Sequence, residues 1–191
     1  LIVGAFLFSR GFIKTGLGKR IAYNLIAAFG SSSLRLSYAL ALSDLILAPA
    51  TPSNTARVGG VIMPITTSLA KAFGSEPQDG PRKIGSFLMQ SIYQVNTITS
   101  AMFQTSMAGN TLVAALALQS FGIGITWGDW AMAAIVPGII ALIIMPYFIY
   151  KVYPPEIKDA REAQQMIREE LKGLGKMSFQ EWVMLGVFVL A

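Results

Sequence analysis

Residues 84–121 and 130–150 run without one charged side chain. A helix on the surface of a water-soluble protein cannot do that, because it needs a polar face to meet solvent. Residues 1–8 and 36–50 are nearly as bare. About 20 apolar residues carry a helix across a bilayer core of about 30 Å, and several segments meet or approach that length. Composition agrees: 53% of the chain is hydrophobic and 13% charged, with a mean hydropathy of +0.56. An ordinary soluble domain is roughly 45–50% apolar and about 25% charged. The expected fold class is an all-α membrane protein, a polytopic helical one. The alternative, a soluble all-helical protein with a large core, lacks the charged faces it would need.

Cysteine and histidine are both absent. Disulfides, thiol chemistry, a zinc site and a Ser-His triad therefore cannot be built from this chain alone. A membrane-embedded hydrolase would need a base beside its nucleophile, and Ser53 has no histidine in the chain and no carboxylate close in sequence.

Fifteen basic residues face ten acidic ones, a net charge of +5. Arg10, Lys14, Lys19, Arg20 and Arg35 form a basic stretch without acids, Lys71, Arg82 and Lys83 flank a Gly/Pro-rich loop, and residues 122–129 hold no base. The positive-inside bias puts residues 10–35, 71–83 and 151–177 in the cytoplasm and 122–129 outside. Juxtamembrane charge accounts for these patches without nucleic acid. The chain opens and closes inside apolar runs, so it reads as an internal fragment.

The stretch 36–73 thus begins and ends on the same side. Each arm is about 22–27 Å long as a helix, short against the bilayer core, so a re-entrant hairpin is expected rather than two crossings. Its tip, residues 49–55, contains Pro49 and Pro52, which remove backbone donors and bias preceding residues away from helix. Ser53 and Asn54 suit the N-cap of the arm that follows. Broken backbone at membrane depth requires protein or a water-filled cavity around it. The expected organisation is a transmembrane helix end and an interfacial helix over 1–35 (21–29 lying on the leaflet); the hairpin over 36–73; a cytoplasmic loop, 74–83; a discontinuous transmembrane helix over 84–121, broken near 104–110; an external loop, 122–129; a transmembrane helix over 130–151 with a mild kink at Pro137 and Gly138; a solvated cytoplasmic helix within 152–177; and the start of another transmembrane helix over 178–191.

Secondary transporters place sites at the midplane on such broken helices, whose freed N-termini face anionic groups. Ser53, Asn54 and Thr55 can donate to a carboxylate without placing a permanent charge in the bilayer; alternatively they only cap a helix. Arg57 is costly inside a membrane hairpin and is a functional candidate by default, or else the structural partner of Asp44. Asp44 could pair with Arg57, handle protons or line the entry, and these readings stay open. Thr99, Ser100, Gln104, Thr105, Ser106 and Asn110 form a polar set that serves either a site or helix packing.

The run Leu47-Ala48-Pro49-Ala50-Thr51-Pro52-Ser53-Asn54-Thr55-Ala56-Arg57-Val58-Gly59-Gly60 and its continuation to Ile65 resembles the first signature of the divalent anion/sodium symporter family. It is most similar to the bacterial and plastid branch of 2-oxoglutarate/malate, citrate/succinate and tartrate/succinate exchangers. Ser9-Arg10-Gly11-Phe12-Ile13-Lys14-Thr15-Gly16 and Ala108-Gly109-Asn110 support it. The resemblance implies an inverted repeat, each half with a hairpin and a broken helix, in a homodimer working by an elevator-like motion in a bacterial inner membrane or plastid inner envelope. This chain would be most of the first repeat and would pair with a second. Carried over by position, Ser53, Asn54 and Thr55 bind a carboxylate of a C4–C6 di- or tricarboxylate, and the break with Thr105, Ser106 and Asn110 completes a charge or ion site, to which Arg57 is a candidate from its own charge. Sodium-coupled relatives carry a sodium-ligating serine where this chain has Pro49, and an uncharged residue where it has Arg57. That departure favours sodium-independent exchange over sodium or proton symport, with no cofactor.

Overall fold

The computed structural model describes residue 11 and residues 14–190. The transmembrane segment expected over 1–8 lies outside the described residues. Those described form nine α-helices: α1 (Leu17–Phe29), α2 (Ser33–Leu47), α3 (Asn54–Arg57), α4 (Met63–Ala72), α5 (Gly85–Met102), α6 (Ala108–Phe121), α7 (Trp127–Val152), α8 (Arg161–Gly173) and α9 (Phe179–Leu190). A π-helical turn, Val58–Ile62, joins α3 to α4. Among the described residues the only β pairing is an isolated bridge between Ser32 and Asp159.

Helix α5 is central, packed against α2, α4 and α7, while α1 lies between α2 and α8. The core is aliphatic, with Leu36, Leu40, Leu47, Ile62, Leu69, Ile84 and Leu88 almost wholly buried. Helix α7 is the one described helix long and apolar enough to cross a membrane. Its 26 residues span about 39 Å, more than the bilayer core. It begins at Trp127, three residues before the expected start, because Thr126 and Asp129 form a capping box: the Thr126 hydroxyl accepts from Asp129 N–H and the Asp129 carboxylate accepts from Thr126 N–H. Pro137 and Gly138 lie inside the continuous helix. A Cβ on Gly138 would sit 2.5 Å from Met102 Cγ, so this glycine lets α7 approach α5 closely, as small residues do between membrane helices.

Three loops expected on one side of the membrane meet at one end of the molecule. Ser33 N–H donates to Lys158 C=O (3.0 Å), Ala160 N–H to Ser31 C=O (3.2 Å), Glu156 N–H to Arg82 C=O (3.1 Å) and Ile157 N–H to Lys83 C=O (2.9 Å). Residues 156 and 157 are thereby held outside any helix, and the polar helix starts only at Arg161. Ala163 and Ile167 of α8 are buried in the cluster that also holds Ala22 and Ile26 of α1. Gln164 Nε2 (2.9 Å) and Arg168 Nε (3.1 Å) both donate to Ala27 C=O, satisfying a carbonyl freed at the end of α1. Arg20 at the other end of α1 pairs with Glu181 of α9 at 2.6 Å.

Candidate functional site

Helix α2 stops at Leu47, and residues 48–53 form a turn before α3. Ser53 is extended and caps α3, its hydroxyl oxygen accepting from Ala56 N–H at 3.2 Å. Asn54 Oδ1 accepts from Thr55 N–H at 2.9 Å. Two first-turn N–H groups are thus already satisfied by the motif's own side chains. Asn54 keeps its backbone N–H and both Nδ2 protons without a partner among the described residues, and the Thr55 side chain is exposed. Ser53 and Asn54 are half-buried, so the motif lies open at the tip.

Arg57, one helical turn deeper, is 1% exposed. A guanidinium has five N–H donors, and each finds an acceptor. Nε donates to Asp44 Oδ1 at 2.8 Å; Nη1 to Thr51 C=O at 3.3 Å and Ser106 C=O at 3.4 Å; Nη2 to Thr99 Oγ1 at 3.2 Å and Ser100 Oγ at 3.1 Å. Asp44 is equally enclosed: its second oxygen accepts from the Thr99 hydroxyl and from Asn96 Nδ2 at 3.4 Å. One side chain of α3 therefore ties α2, the turn at residues 48–53, α5 and Ser106 together. Among the readings open for Asp44, the geometry is that of ion-pair partner.

Helix α5 ends at Met102 and α6 begins at Ala108. The break, residues 103–107, frees carbonyls that would otherwise accept within the helix, and side chains replace the lost donors. Ser106 Oγ donates to Ser100 and Phe103 carbonyls, and Asn110 Nδ2 reaches the same two at 2.7 and 2.9 Å. Trp130 Nε1 donates to Ala101 C=O at 2.9 Å. Thr105 faces the turn between α2 and α3: its hydroxyl donates to Pro49 C=O at 2.7 Å and accepts from Trp127 Nε1 at 3.0 Å. The Trp127 ring stacks on Phe103 at 5.8 Å between centroids. Of the expected charge-site residues, Arg57 and Ser106 are in direct contact, Asn110 joins them through Ser100, and Thr105 instead bonds the turn at Pro49. Among the described residues no group of three or more carboxylates could hold a metal ion.

A family model described as the sodium:sulfate symporter transmembrane region matches residues 1–191. The chain belongs to this family. It is the divalent anion/sodium symporter family of the sequence resemblance. Relatives align over the whole chain: YflS of Bacillus subtilis at 56% identity, the chloroplastic dicarboxylate transporter 1 of Spinacia oleracea at 49%, and the citrate/succinate antiporter of Escherichia coli at 38%. The chain spans 40%, 34% and 39% of their respective lengths.

Within this symporter-family chain, three participants escape sequence reading. Asn96 joins Asp44 but is one amide among several in an uncharged helix. Trp127 and Trp130 reach back to the break from the start of α7. Their signal was present, two tryptophans three apart ahead of an apolar run, the pattern of an interfacial aromatic belt, but nothing in it names Thr105 or Ala101 as the partner.

Proposed function

We propose that this chain is most of the first half of a secondary carrier that exchanges di- and tricarboxylate anions, of the malate, succinate, 2-oxoglutarate, citrate and tartrate class, across a bacterial inner membrane or plastid inner envelope. Ser53, Asn54 and Thr55 bind one substrate carboxylate. The unpartnered Asn54 donors and the exposed Thr55 hydroxyl lie at a helix start, where the backbone dipole favours negative charge. Residues 36–73 act as a re-entrant hairpin, with the basic loops at the cytoplasmic face; α2, at about 22 Å, is too short to cross. A second repeat supplies the rest of the site, and the carrier works as a homodimer. The relatives named above as a dicarboxylate transporter and a citrate/succinate antiporter favour this substrate class and exchange.

The observation that carries exchange over cation symport is Arg57. A coupling sodium takes carbonyl and hydroxyl oxygens freed at broken helices. Beneath this tip those oxygens, on Thr51, Thr99, Ser100 and Ser106, are engaged by the guanidinium, and the Pro49 carbonyl by Thr105. Sodium does not fit this half-site, and a carrier without a coupling cation returns loaded with another anion. Counterflow of labelled malate by the full-length protein in proteoliposomes tests this: uptake that requires internal dicarboxylate and ignores sodium is expected. Strict dependence on sodium or on a proton gradient would overturn it.

A further inference from the structure

Asp44 is the one acid between Arg35 and Lys71, and its burial opposite Arg57 has a consequence for how charge is read at the tip. Both side chains are 0% exposed. The guanidinium is anchored on four sides, to Asp44 in α2, Thr51 in the turn, Thr99 and Ser100 in α5 and Ser106 in the break. Thr99 also bonds Asp44, so Arg57, Asp44 and Thr99 close a three-membered ring of contacts across α3, α2 and α5. No Arg57 donor is left for an incoming anion. The charge of Arg57 is cancelled in place, within a region where an unbalanced charge is costly.

We propose that Asp44 is a positioning residue of the anion site: its carboxylate orients and neutralises Arg57, so that the uncharged donors of Ser53, Asn54 and Thr55, rather than the guanidinium, hold the substrate carboxylate. This rests on the anion-carrier reading above. The pair keeps the potential at the tip near zero when the site is empty, and it locks the hairpin to the broken helix so that they move as one body. Removing either partner leaves a net buried charge about one helical turn from the tip, with opposite sign in the two cases. Removing both charges restores neutrality while losing the guanidinium.

The test uses the full-length carrier in proteoliposomes, with labelled succinate as probe, and compares wild type, R57Q, D44N and D44N/R57Q for KM and turnover. R57Q leaves a bare carboxylate below the tip and should raise KM about tenfold, whereas D44N leaves a bare guanidinium and should lower KM while slowing turnover. The double variant should return KM to within about threefold of wild type, a non-additivity expected of directly coupled groups. A purely structural pair would reduce recovery and turnover in both single variants without moving KM in opposite directions. A double variant as impaired as R57Q, in KM or in recovery of folded protein, overturns the proposal and makes Arg57 itself the anion ligand. If wild type exchanges carboxylates but this KM pattern is absent, only this inference fails; if wild type exchanges none, the carrier reading fails with it.

Discussion

Thr105 is the bolt between the turn at Pro49 and the start of α7, and its removal gives a sharp stability prediction. Valine in its place keeps the shape, strips the donor from Pro49 C=O and leaves Trp127 Nε1–H without its acceptor. Each such bond contributes about 0.5–1.5 kcal/mol net, so Thr105→Val should cost about 1–3 kcal/mol. Trp127→Phe removes one of the same bonds and keeps a ring against Phe103. The two substitutions share the Trp127–Thr105 bond, so the double variant should fall short of the sum of the singles by about 1 kcal/mol. The smaller ring's lost contact area appears in both backgrounds and cancels. The assay is unfolding of the purified full-length protein by SDS titration in mixed micelles, with Thr105→Ser as the control that retains the hydroxyl and should stay near wild type. Additive costs, or a valine variant as stable as wild type, would refute the bolt.

Three other outcomes follow from the geometry. Asn54→Ala and Thr55→Ala should abolish counterflow while leaving expression intact, since neither side chain bonds outside its own motif; survival of transport in both would reduce the tip to a helix cap. Gly138→Ala drives a methyl to within 2.5 Å of Met102 Cγ and should destabilise by about 1–3 kcal/mol, with Met102→Ala restoring stability by making room. Asp159 is held to a pKa of about 2 by hydrogen bonds from Arg161. A depressed carboxylate stabilises the fold above its unfolded value of about 3.9 and loses that contribution as pH falls through the folded value. Arg161→Gln keeps the backbone N–H bond to Asp159 and should therefore raise the Asp159 titration, followed by carboxyl NMR, toward the ordinary range; both groups are solvent-exposed, so the effect on overall stability should be small.

The helical class and the two interruptions were legible because they depend on what is missing from the sequence. Runs without charge need an apolar surround, and Pro49 and Pro52 cannot continue a helix. Residues 103–107 were harder, since nothing there forbids helix; the density of Thr, Ser, Gln and Asn carried the reading, and the structure breaks at the front of the expected window. The Thr126/Asp129 capping box was readable yet lost to the view of residues 122–129 as a loop. The partners of Arg57 were not readable beyond Asp44. Thr99, Ser100 and Ser106 lie more than forty positions away, and which face of an uncharged helix turns toward the hairpin is set by packing: Met102 against Gly138 on one side, Ile92 and Val95 inward on another. Periodicity marks a face only where polar and apolar residues segregate, and in α5 they do not.

Most of the polar chemistry near the tip is already committed to holding backbone. Ser106 and Asn110 serve the carbonyls of Ser100 and Phe103, Thr105 serves Pro49, Ser53 serves Ala56, and Arg57 meets four carbonyl or hydroxyl oxygens as well as Asp44. On the carrier reading, which puts this turn at membrane depth, no water replaces a lost bond there and such commitment is required. What remains for a ligand is small: the Asn54 amide and N–H, the Ser53 hydroxyl proton, and the Thr55 hydroxyl, whose one bond is a long 3.5 Å contact to Asn54 Oδ1. Four neutral donors suit one carboxylate and leave no group to measure the distance to a second one. On the carrier reading, discrimination between a four-carbon and a six-carbon acid therefore falls to the partner repeat. Exchanging residues 36–110 between two relatives of different preference should leave the preference with the rest of the chain, and a preference that travels with this segment would show that the tip reads more than a single carboxylate.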